Sequence, residues 1–283
     1  MKRYFYSVVI FCLSLNVVFS QNDELKQAEN FDNSYLKIGL FTNQIYTTAS
    51  DLQLRFTDSK SSISLDQPLG VSGVNNNIGI DLGLFEREYS NRFIFNPIHL
   101  SFAVSSFNLN SLYLETGTGF AYELPLLKRD LRFSENDDDI DEGVVSVLKM
   151  RFGLQLDYLF YKNTIIDELG AKGKSIIYVQ DKPIGASVHA NLYSNMWKFS
   201  PLLGVNIRLS DVFDLHIIGM YNGVFSSKEN LYFKELNQTS NNNHISTNIS
   251  PYIYRSSGEN LPANLLKLSP LTFKIDLVYL LDN

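Results

Sequence analysis

The sequence is dominated by segments in which apolar and polar residues alternate. The clearest is 148–160, where the apolar positions are Leu148, Met150, Phe152, Leu154, Leu156, Tyr158 and Phe160. Lys149, Arg151, Gly153, Gln155 and Asp157 lie between them. Such alternation predicts a β-strand with one apolar and one polar face. The segment is longer than the usual five or six residues of a soluble strand, and it suits a strand that crosses a bilayer at a tilt.

Ten segments share this pattern, and they are 36–40, 52–56, 77–85, 98–105, 112–124, 148–160, 184–192, 199–209, 213–221 and 271–281. A β-sandwich also alternates, so the composition of the polar face decides between the two folds. That face mixes glycine and small residues with charged residues and histidine, which suits a crowded lumen. Aromatic residues near many segment ends suit girdles at two membrane interfaces. The sequence therefore predicts an all-β, antiparallel transmembrane β-barrel of about 10 strands, within a range of 8–12.

The connections can be assigned to sides if the barrel has an even strand count and both chain ends in the periplasm. Counting back from the last segment predicts long outer loops at 126–144 and 225–269. The turns at 108–110 and 210–211 are then periplasmic, and so are the longer connections 58–76 and 162–182. Extra strands at 62–65 and 175–179 would give twelve strands instead.

The first twenty residues have the features of an export signal. Lys2 and Arg3 precede a largely apolar run, and Val18 and Ser20 are small residues suited to cleavage before Gln21. We predict a signal peptide at 1–20, a periplasmic segment at 21–33 and the barrel at 34–283, located in the outer membrane. Since the only cysteine, Cys12, lies within the signal, the remaining chain is expected to have no disulfide and no thiolate metal site.

The composition narrows the partners and carries a family resemblance. The chain has 16 Tyr and 20 Phe but one Trp, and its net charge is −6, which offers no basic face to nucleic acid. The short signal ending in Phe19 and Ser20, the Tyr/Phe/Asn-rich chain and the alternating last strand resemble outer-membrane barrels of Bacteroidota. For a barrel in the outer membrane we expect contact with outer-membrane lipid and lipopolysaccharide, and with other envelope proteins. No cofactor is expected.

Two small groups of residues suggest chemistry. Asp137, Asp139 and Asp141 have the alternate spacing of a calcium loop, but Glu142 and Leu148 stand where that loop needs Gly and Glu. We interpret the group as a solvated acidic loop and predict no metal site; a cation bridging this loop to lipopolysaccharide phosphates is the alternative.

His99 and Ser101 share a strand face, with Glu115 on the next strand, as a base, a hydroxyl and a carboxylate would in a hydrolase. The pair loosely resembles the His-x-Ser element of outer-membrane lipid A deacylases. Those enzymes act at the lipid-facing surface, whereas His99 and Ser101 fall on the predicted lumen face. We therefore expect no catalysis, and we keep an outer-membrane lipid hydrolase as an alternative.

The predicted lumen face carries equal numbers of both charges. The positive residues are Lys37, Arg55, Lys149, Arg151, Lys198, Arg208 and Lys274, and the negative residues are Asp51, Asp81, Glu115, Glu123, Asp157, Asp214 and Asp276. Because an unpaired buried charge is costly, these groups are expected to pair across a closed or poorly selective interior. The leading hypothesis is a non-enzymatic subunit of a cell-envelope assembly. A narrow porin-like channel for small solutes is the alternative.

Overall fold

A computed structural model describes residues 34–48, 51–54, 57–58, 67–68, 74–89, 92–105, 111–133, 141–170, 177–180, 182–185, 187–210, 212–235, 244–250 and 252–281. The predicted signal peptide and the segment 21–33 lie outside these residues. Among the described residues, no helix has both the length and the hydropathy needed to span a membrane.

The described residues form seventeen strands, numbered in chain order: β1 (Ser34–Thr47), β2 (Leu52–Leu54), β3 (Thr57–Asp58), β4 (Gln67–Pro68), β5 (Val74–Tyr89), β6 (Phe93–Ser105), β7 (Ser111–Phe133), β8 (Asp141–Gly170), β9 (Ile177–Val179), β10 (Lys182–Gly185), β11 (Ser187–Arg208), β12 (Phe213–Tyr221), β13 (Gly223–Glu235), β14 (His244–Thr247), β15 (Ile253–Arg255), β16 (Leu266–Leu268) and β17 (Leu271–Leu281).

Eight of these strands close into a ring in the order β1, β5, β6, β7, β8, β11, β12 and β17, and β17 returns to β1. Every pair in the ring is antiparallel. This confirms the predicted antiparallel barrel. The strand number falls at the lower end of the expected range, two below the ten segments seen in the sequence.

Two differences account for the lower number. The segments predicted at 184–192 and 199–209 are joined, because β11 continues through residues 193–198 without a turn. Of the segment predicted at 52–56, the described residues form the short strand β2, which pairs with β15 and β4 outside the ring. Alternation alone did not distinguish a strand of the ring from a strand in a folded loop.

The ring carries apolar side chains outside and charged side chains inside. Ile38, Leu40, Ile80, Leu203 and Ile275 are each at least half exposed, whereas Lys37, Asp81, Lys198, Lys274 and Asp276 are each at most 2% exposed. A water-soluble domain has the opposite arrangement, because it buries apolar surface. We call this exposed apolar outer surface the apolar belt. Aromatic residues border it at both ends: Phe213 packs on Tyr279 at one end, and Tyr158 packs on Trp197 at the other. The polarity is that of a transmembrane β-barrel.

The two ends of the ring differ. The first and last strands meet where Ser34 pairs with Leu281, and we call this the terminal end. Strands β5, β7 and β11 end there and β6, β8 and β12 begin there, whereas β1, β6 and β8 end at the opposite end, where β5, β7 and β11 begin. Ser210, in the predicted turn at 210–211, is therefore at the same end as the chain ends, as predicted.

Relative to the chain ends, the ends of the flanking strands reverse the side assignments of 58–76, 108–110, 126–144 and 162–182. All four fall between the misassigned strand at 52–56 and the strand that was divided in two, and in a count back from the last segment the division of β11 reversed their sides. Shorter connections at the terminal end agree with the usual pattern of membrane barrels, in which the periplasmic turns are short.

The described residues of 126–144 belong to strands β7 and β8. Beyond the ring, β7 and β8 continue as a two-stranded extension at the terminal end, from Leu127 opposite Leu148 to Phe133 opposite Asp141. Of the predicted acidic residues, Asp141 begins β8, while Asp137 and Asp139 lie outside the described residues.

A folded apolar region, which we call the head, closes the opposite end of the ring. Much of the predicted outer loop 225–269 belongs to it, as the end of β13 and the strands β14, β15 and β16. Its core is buried and includes Ile45, Leu54, Val188, Phe233 and Ile253. Residues from distant parts of the chain meet there, so the head is a packed structure built by the connections at this end.

One charge predicted for the lumen belongs to the head. Asp51 accepts a hydrogen bond from Arg255 Nε at 2.9 Å and from the Ser257 backbone N–H at 3.2 Å. The Ser257 side chain, with further help from Arg255, lowers the pKa of Asp51 to about 2. The carboxylate is therefore ionised at physiological pH and holds the β2–β15 pair in place. Arg55, its predicted companion, lies outside the described residues.

Glycines in the wall make room for the interior charges. A Cβ atom at Gly117 would overlap the Asp157 carboxylate and the Leu156 carbonyl oxygen, and the latter belongs to the backbone and cannot turn away. A Cβ atom at Gly219 would meet its nearest neighbour, the Leu203 carbonyl oxygen, at 3.8 Å, an ordinary contact.

We expect Gly117→Ala to lower the free energy of unfolding by about 1–3 kcal/mol, as overpacking does. The control Gly219→Ala should leave it nearly unchanged. Urea unfolding from lipid vesicles measures both. Equal stability of the two variants would contradict the proposed crowding around Asp157.

Candidate functional site

The ring interior holds a cluster of paired charges that we call the central cluster. Its members are Lys37, Asp81, His99, Glu115, Asp157, Lys198, Lys274 and Asp276. Each comes from the polar face of an alternating strand, so the same pattern that builds the apolar belt also directs these side chains inward. Ten of the fourteen predicted lumen charges are buried; Lys149 and Arg208 are less so, Asp51 belongs to the head, and Arg55 is outside the described residues.

Asp81 lies at one side of the cluster, between two lysines. Its carboxylate oxygens are 3.1 Å from Lys37 Nζ and 3.0 Å from Lys274 Nζ. Lys37 Nζ is also 3.5 Å from Asp276. These contacts connect β1, β5 and β17, so the charges are shared between strands on both sides of the seam where the chain ends meet.

Lys198 holds the other side of the cluster. Its Nζ atom is 2.9 Å from Glu115 and 3.2 Å from Asp157. His99 Nε2 is 3.1 Å from Asp157 and 3.7 Å from Glu115. In all, four carboxylates face three lysines and His99. The histidine thus occupies the position where a fourth positive charge would balance the cluster.

The three predicted hydrolase residues come together but do not form a catalytic arrangement. The Ser101 hydroxyl donates a hydrogen bond to Asp81, while His99 faces Asp157 and Glu115. A serine nucleophile requires a base within hydrogen-bond reach of its own hydroxyl. Here a carboxylate already engaged with two lysines occupies that place.

His99, Glu115 and Asp157 also present ligand atoms within 4.8 Å of one another, a spacing that a metal ion could use. The sequence prediction contained His99 and Glu115 but not this grouping with Asp157. The Lys198 ammonium lies against both carboxylates, so a divalent cation would have to displace it or stand beside its charge. The arrangement therefore favours ion pairing over metal binding.

A second group of polar residues lies nearer the terminal end. Glu123 contacts Lys149 Nζ at 2.9 Å and Arg151 Nη1 at 3.4 Å, and it accepts a hydrogen bond from Asn206 at 3.1 Å. Arg151 Nη1 is 3.0 Å from His216 Nδ1. A cavity lined by these residues has a volume of only about 10 Å³. This cavity has room for about one water molecule.

Tyr113 lies between the charged interior and the apolar head. Its hydroxyl donates to Glu115 and accepts from Asn43 Nδ2 at 2.9 Å, and its ring lies 5.3 Å from that of Phe41 in the head core. Above this tyrosine the interior holds the apolar core of the head together with buried polar side chains such as Asn43, Asn77 and Asn163. The lumen is therefore filled in two layers, by the ion pairs nearer the terminal end and by the head at the opposite end.

No protein-family model matches the sequence, and no curated protein matches it either. Several solved barrels resemble the structure distantly. Neisserial surface protein A has 7% identity over 87% of this chain and 96% of its own, with a TM-score of 0.37. The outer membrane protease OmpT from Escherichia coli has 10% identity, covers 89% and 98%, and has a TM-score of 0.25. A FadL homologue from Pseudomonas aeruginosa has 8% identity, covers 88% and 90%, and has a TM-score of 0.24. At these TM-scores the likenesses transfer no function.

The central cluster predicts a specific pattern of stability changes. Lys198→Met removes the cation between Glu115 and Asp157, and breaking a buried pair in this way should cost about 3–5 kcal/mol of unfolding free energy. Adding Asp157→Asn should recover part of the loss, because fewer charges are then left unpaired. Urea unfolding from vesicles measures the difference.

The control is Lys182→Met at an exposed lysine, which should change stability by less than about 0.5 kcal/mol. If Lys198→Met were as mild as this control, the central cluster would not be holding the ring together.

Proposed function

We propose that the protein is a closed, non-enzymatic barrel of the outer membrane that serves as a structural or interaction subunit of a cell-envelope assembly. Membrane placement is supported by the exposed apolar belt and its two aromatic borders. The predicted export signal is consistent with this placement. The resemblance to barrels of Bacteroidota stays a prediction, as does contact with lipopolysaccharide.

The observation that carries the proposal is the filled lumen. Lys37, Asp81, Asp157, Lys198 and Lys274 are each at most 2% exposed and lie in mutual ion pairs. In a ring of eight strands, side chains are enough to fill the interior. A solute would have to separate these pairs and also cross the packed core of the head.

The head is the part of the described structure best suited to meet a partner. It carries an exposed polar stretch at 256–260, next to Asp51 and Arg255. A barrel that needed only to sit in the membrane could close its outer end with short turns. A partner of the cell envelope would therefore bind at the head, with the barrel as its anchor.

Two alternatives are less favoured by the geometry. A porin-like channel for small solutes requires an open path, which the filled lumen does not offer. An outer-membrane lipid hydrolase using His99 and Ser101 requires both a paired nucleophile and access for lipid. Ser101 instead donates to Asp81, and both His99 and Ser101 are fully buried.

Planar-bilayer recording distinguishes the closed barrel from the channel. We expect no conductance steps from protein that shows the heat-dependent gel migration of a folded barrel. Protein unfolded by boiling serves as the control for detergent artefacts. Reproducible conductance steps from the folded form alone would favour the channel and overturn the proposal of a closed barrel.

Photo-crosslinking in living cells tests the interaction role. A photoreactive residue placed at Asn260 or Ala263, both exposed in the head, should give discrete adducts of defined mass. The same residue at Leu203, which is 56% exposed on the apolar belt, should give none. Folded protein with adducts at neither head position would contradict the proposed role.

A further inference from the structure

The barrel wall is interrupted near the head. β12 pairs with β17 as far as Tyr221 opposite Leu271. Beyond that point the two sides separate: β13 pairs with β11 and β14, whereas β16 pairs with β1. No backbone pairing joins β13 to β16 among the described residues. We call this opening between β13 and β16 the wall gap.

Single residues define its two ends. At the lower end, the Asn222 backbone N–H donates to Pro270 at 2.7 Å, and its side chain donates to Ser269 and Thr272. At the upper end, the Glu229 carboxylate accepts the backbone N–H groups of Leu265 and Leu266, each at 2.8 Å. The gap is thus a bounded opening between two fixed edges, and it is not a frayed end of the sheet.

A cavity of about 340 Å³ lies at the gap. Its apolar lining comes from Met196, Val224, Leu266, Leu268 and Pro270. Tyr46, Asn222, Ser227, Asn264 and Lys267 contribute polar groups. Ser227 Oγ is buried with no hydrogen-bond partner among the described residues. The cavity therefore combines hydrocarbon walls with a free hydroxyl, which suits a ligand that is itself amphipathic.

The wall gap begins where the apolar belt ends. Val224 and Phe225 are 38% and 63% exposed, Tyr221 beneath them is 57% exposed, and Trp197 lies opposite Ser226 on the neighbouring strand. Trp and Tyr are typical of the level of lipid headgroups. The apolar surface around the gap is continuous with the belt, so the molecules nearest to it are membrane lipids.

Charge identifies the kind of lipid. The strands that border the gap each carry an exposed lysine, Lys228 on β13 and Lys267 on β16. The nearby Glu229 is occupied by the two backbone N–H groups. An acyl chain gains little by leaving the bilayer for an apolar cavity, so selectivity must come from the headgroup. Two lysines at headgroup level favour an anionic one.

We infer that the wall gap binds one acyl chain of an anionic membrane lipid, with its headgroup between Lys228 and Lys267 and with Ser227 available to donate to a carbonyl oxygen. A β-strand of a partner protein fits less well. It would need free backbone groups along both edges, and Glu229 already holds the N–H groups of Leu265 and Leu266. An acyl chain needs no such groups.

Photolabelling with a diazirine-bearing palmitate tests the site, using the full folded protein in lipid vesicles. Mapping of labelled peptides should place most of the label within 224–228 and 266–270. Labelling spread evenly around the apolar belt would show ordinary annular lipid and would overturn the proposal.

Variants separate the cavity from the surrounding surface. Ser227→Phe should fill the cavity and abolish the site-specific label, whereas Leu203→Phe on the belt should leave it intact. If Ser227→Phe fails to fold, Val224→Trp can replace it, because a tryptophan there should block the mouth of the cavity. Equal labelling of all folded variants would rule the site out.

The charge requirement has its own measurement. Lys228→Gln and Lys267→Gln should each weaken palmitate labelling about fivefold, as expected for a basic residue near a lipid surface. Labelling by the uncharged hexadecanol analogue should change little. If both probes responded alike, the headgroup assignment would fail.

The inference depends on the membrane placement proposed above, and heat-dependent gel migration reports that placement independently. Uniform labelling of a barrel that still migrates as folded would remove the lipid site and leave the placement standing.

Discussion

Ion pairs inside a narrow ring are the interaction on which the rest of this structure depends. The pairs do not simply join neighbouring strands. Lys198 on β11 reaches across β8 to Glu115 on β7, and Lys274 on β17 reaches across β1 to Asp81 on β5. Such contacts require a strongly curved sheet, because only curvature brings together the inward side chains of strands that are two apart. A flat sheet would leave these charges with fewer partners, so the pairing favours the curvature of a narrow ring.

The same requirement explains the small residues in the wall. The carboxylates of Asp157 and Asp276 lie against Gly117 and Gly39, where any larger residue would occupy their space. Above this level the interior is filled by the apolar core of the head together with uncharged polar residues such as Asn43 and Asn77. Tyr113 joins the two regions, with a hydroxyl bound to Glu115 and a ring against Phe41. The proposed closed state of the barrel follows from the ion pairs and the head together.

Alternation in the sequence was sufficient to predict the barrel class and the inward side of most charged residues, since both depend on a period of two along single strands. It could not supply the pairing between strands. His99 and Ser101 share a face two residues apart, yet Ser101 bonds Asp81 on the preceding strand while His99 faces Asp157 two strands away. That difference arises from register and closure, which no local pattern records.

The strand count failed for a related reason. The segment at 52–56 alternates as well as a strand of the ring does, but its strand β2 packs in the head. This error and the division of β11 into two strands together reversed the sides of the connections that lie between them.

The wall gap and the central cluster are connected through Asn222. Its side-chain oxygen accepts hydrogen bonds from Lys198 at 3.1 Å and Ser200 at 3.4 Å, while its amide nitrogen donates to Ser269 and Thr272. One residue therefore ends the β12–β17 pairing and also holds the lysine that balances Glu115 and Asp157. Because the orientation of Lys198 depends on Asn222, the lower edge of the gap is as rigid as the ion pairs beneath it. The opening can persist in the wall without loosening the ring, since its edge is stabilised by the same buried charges that keep the barrel closed.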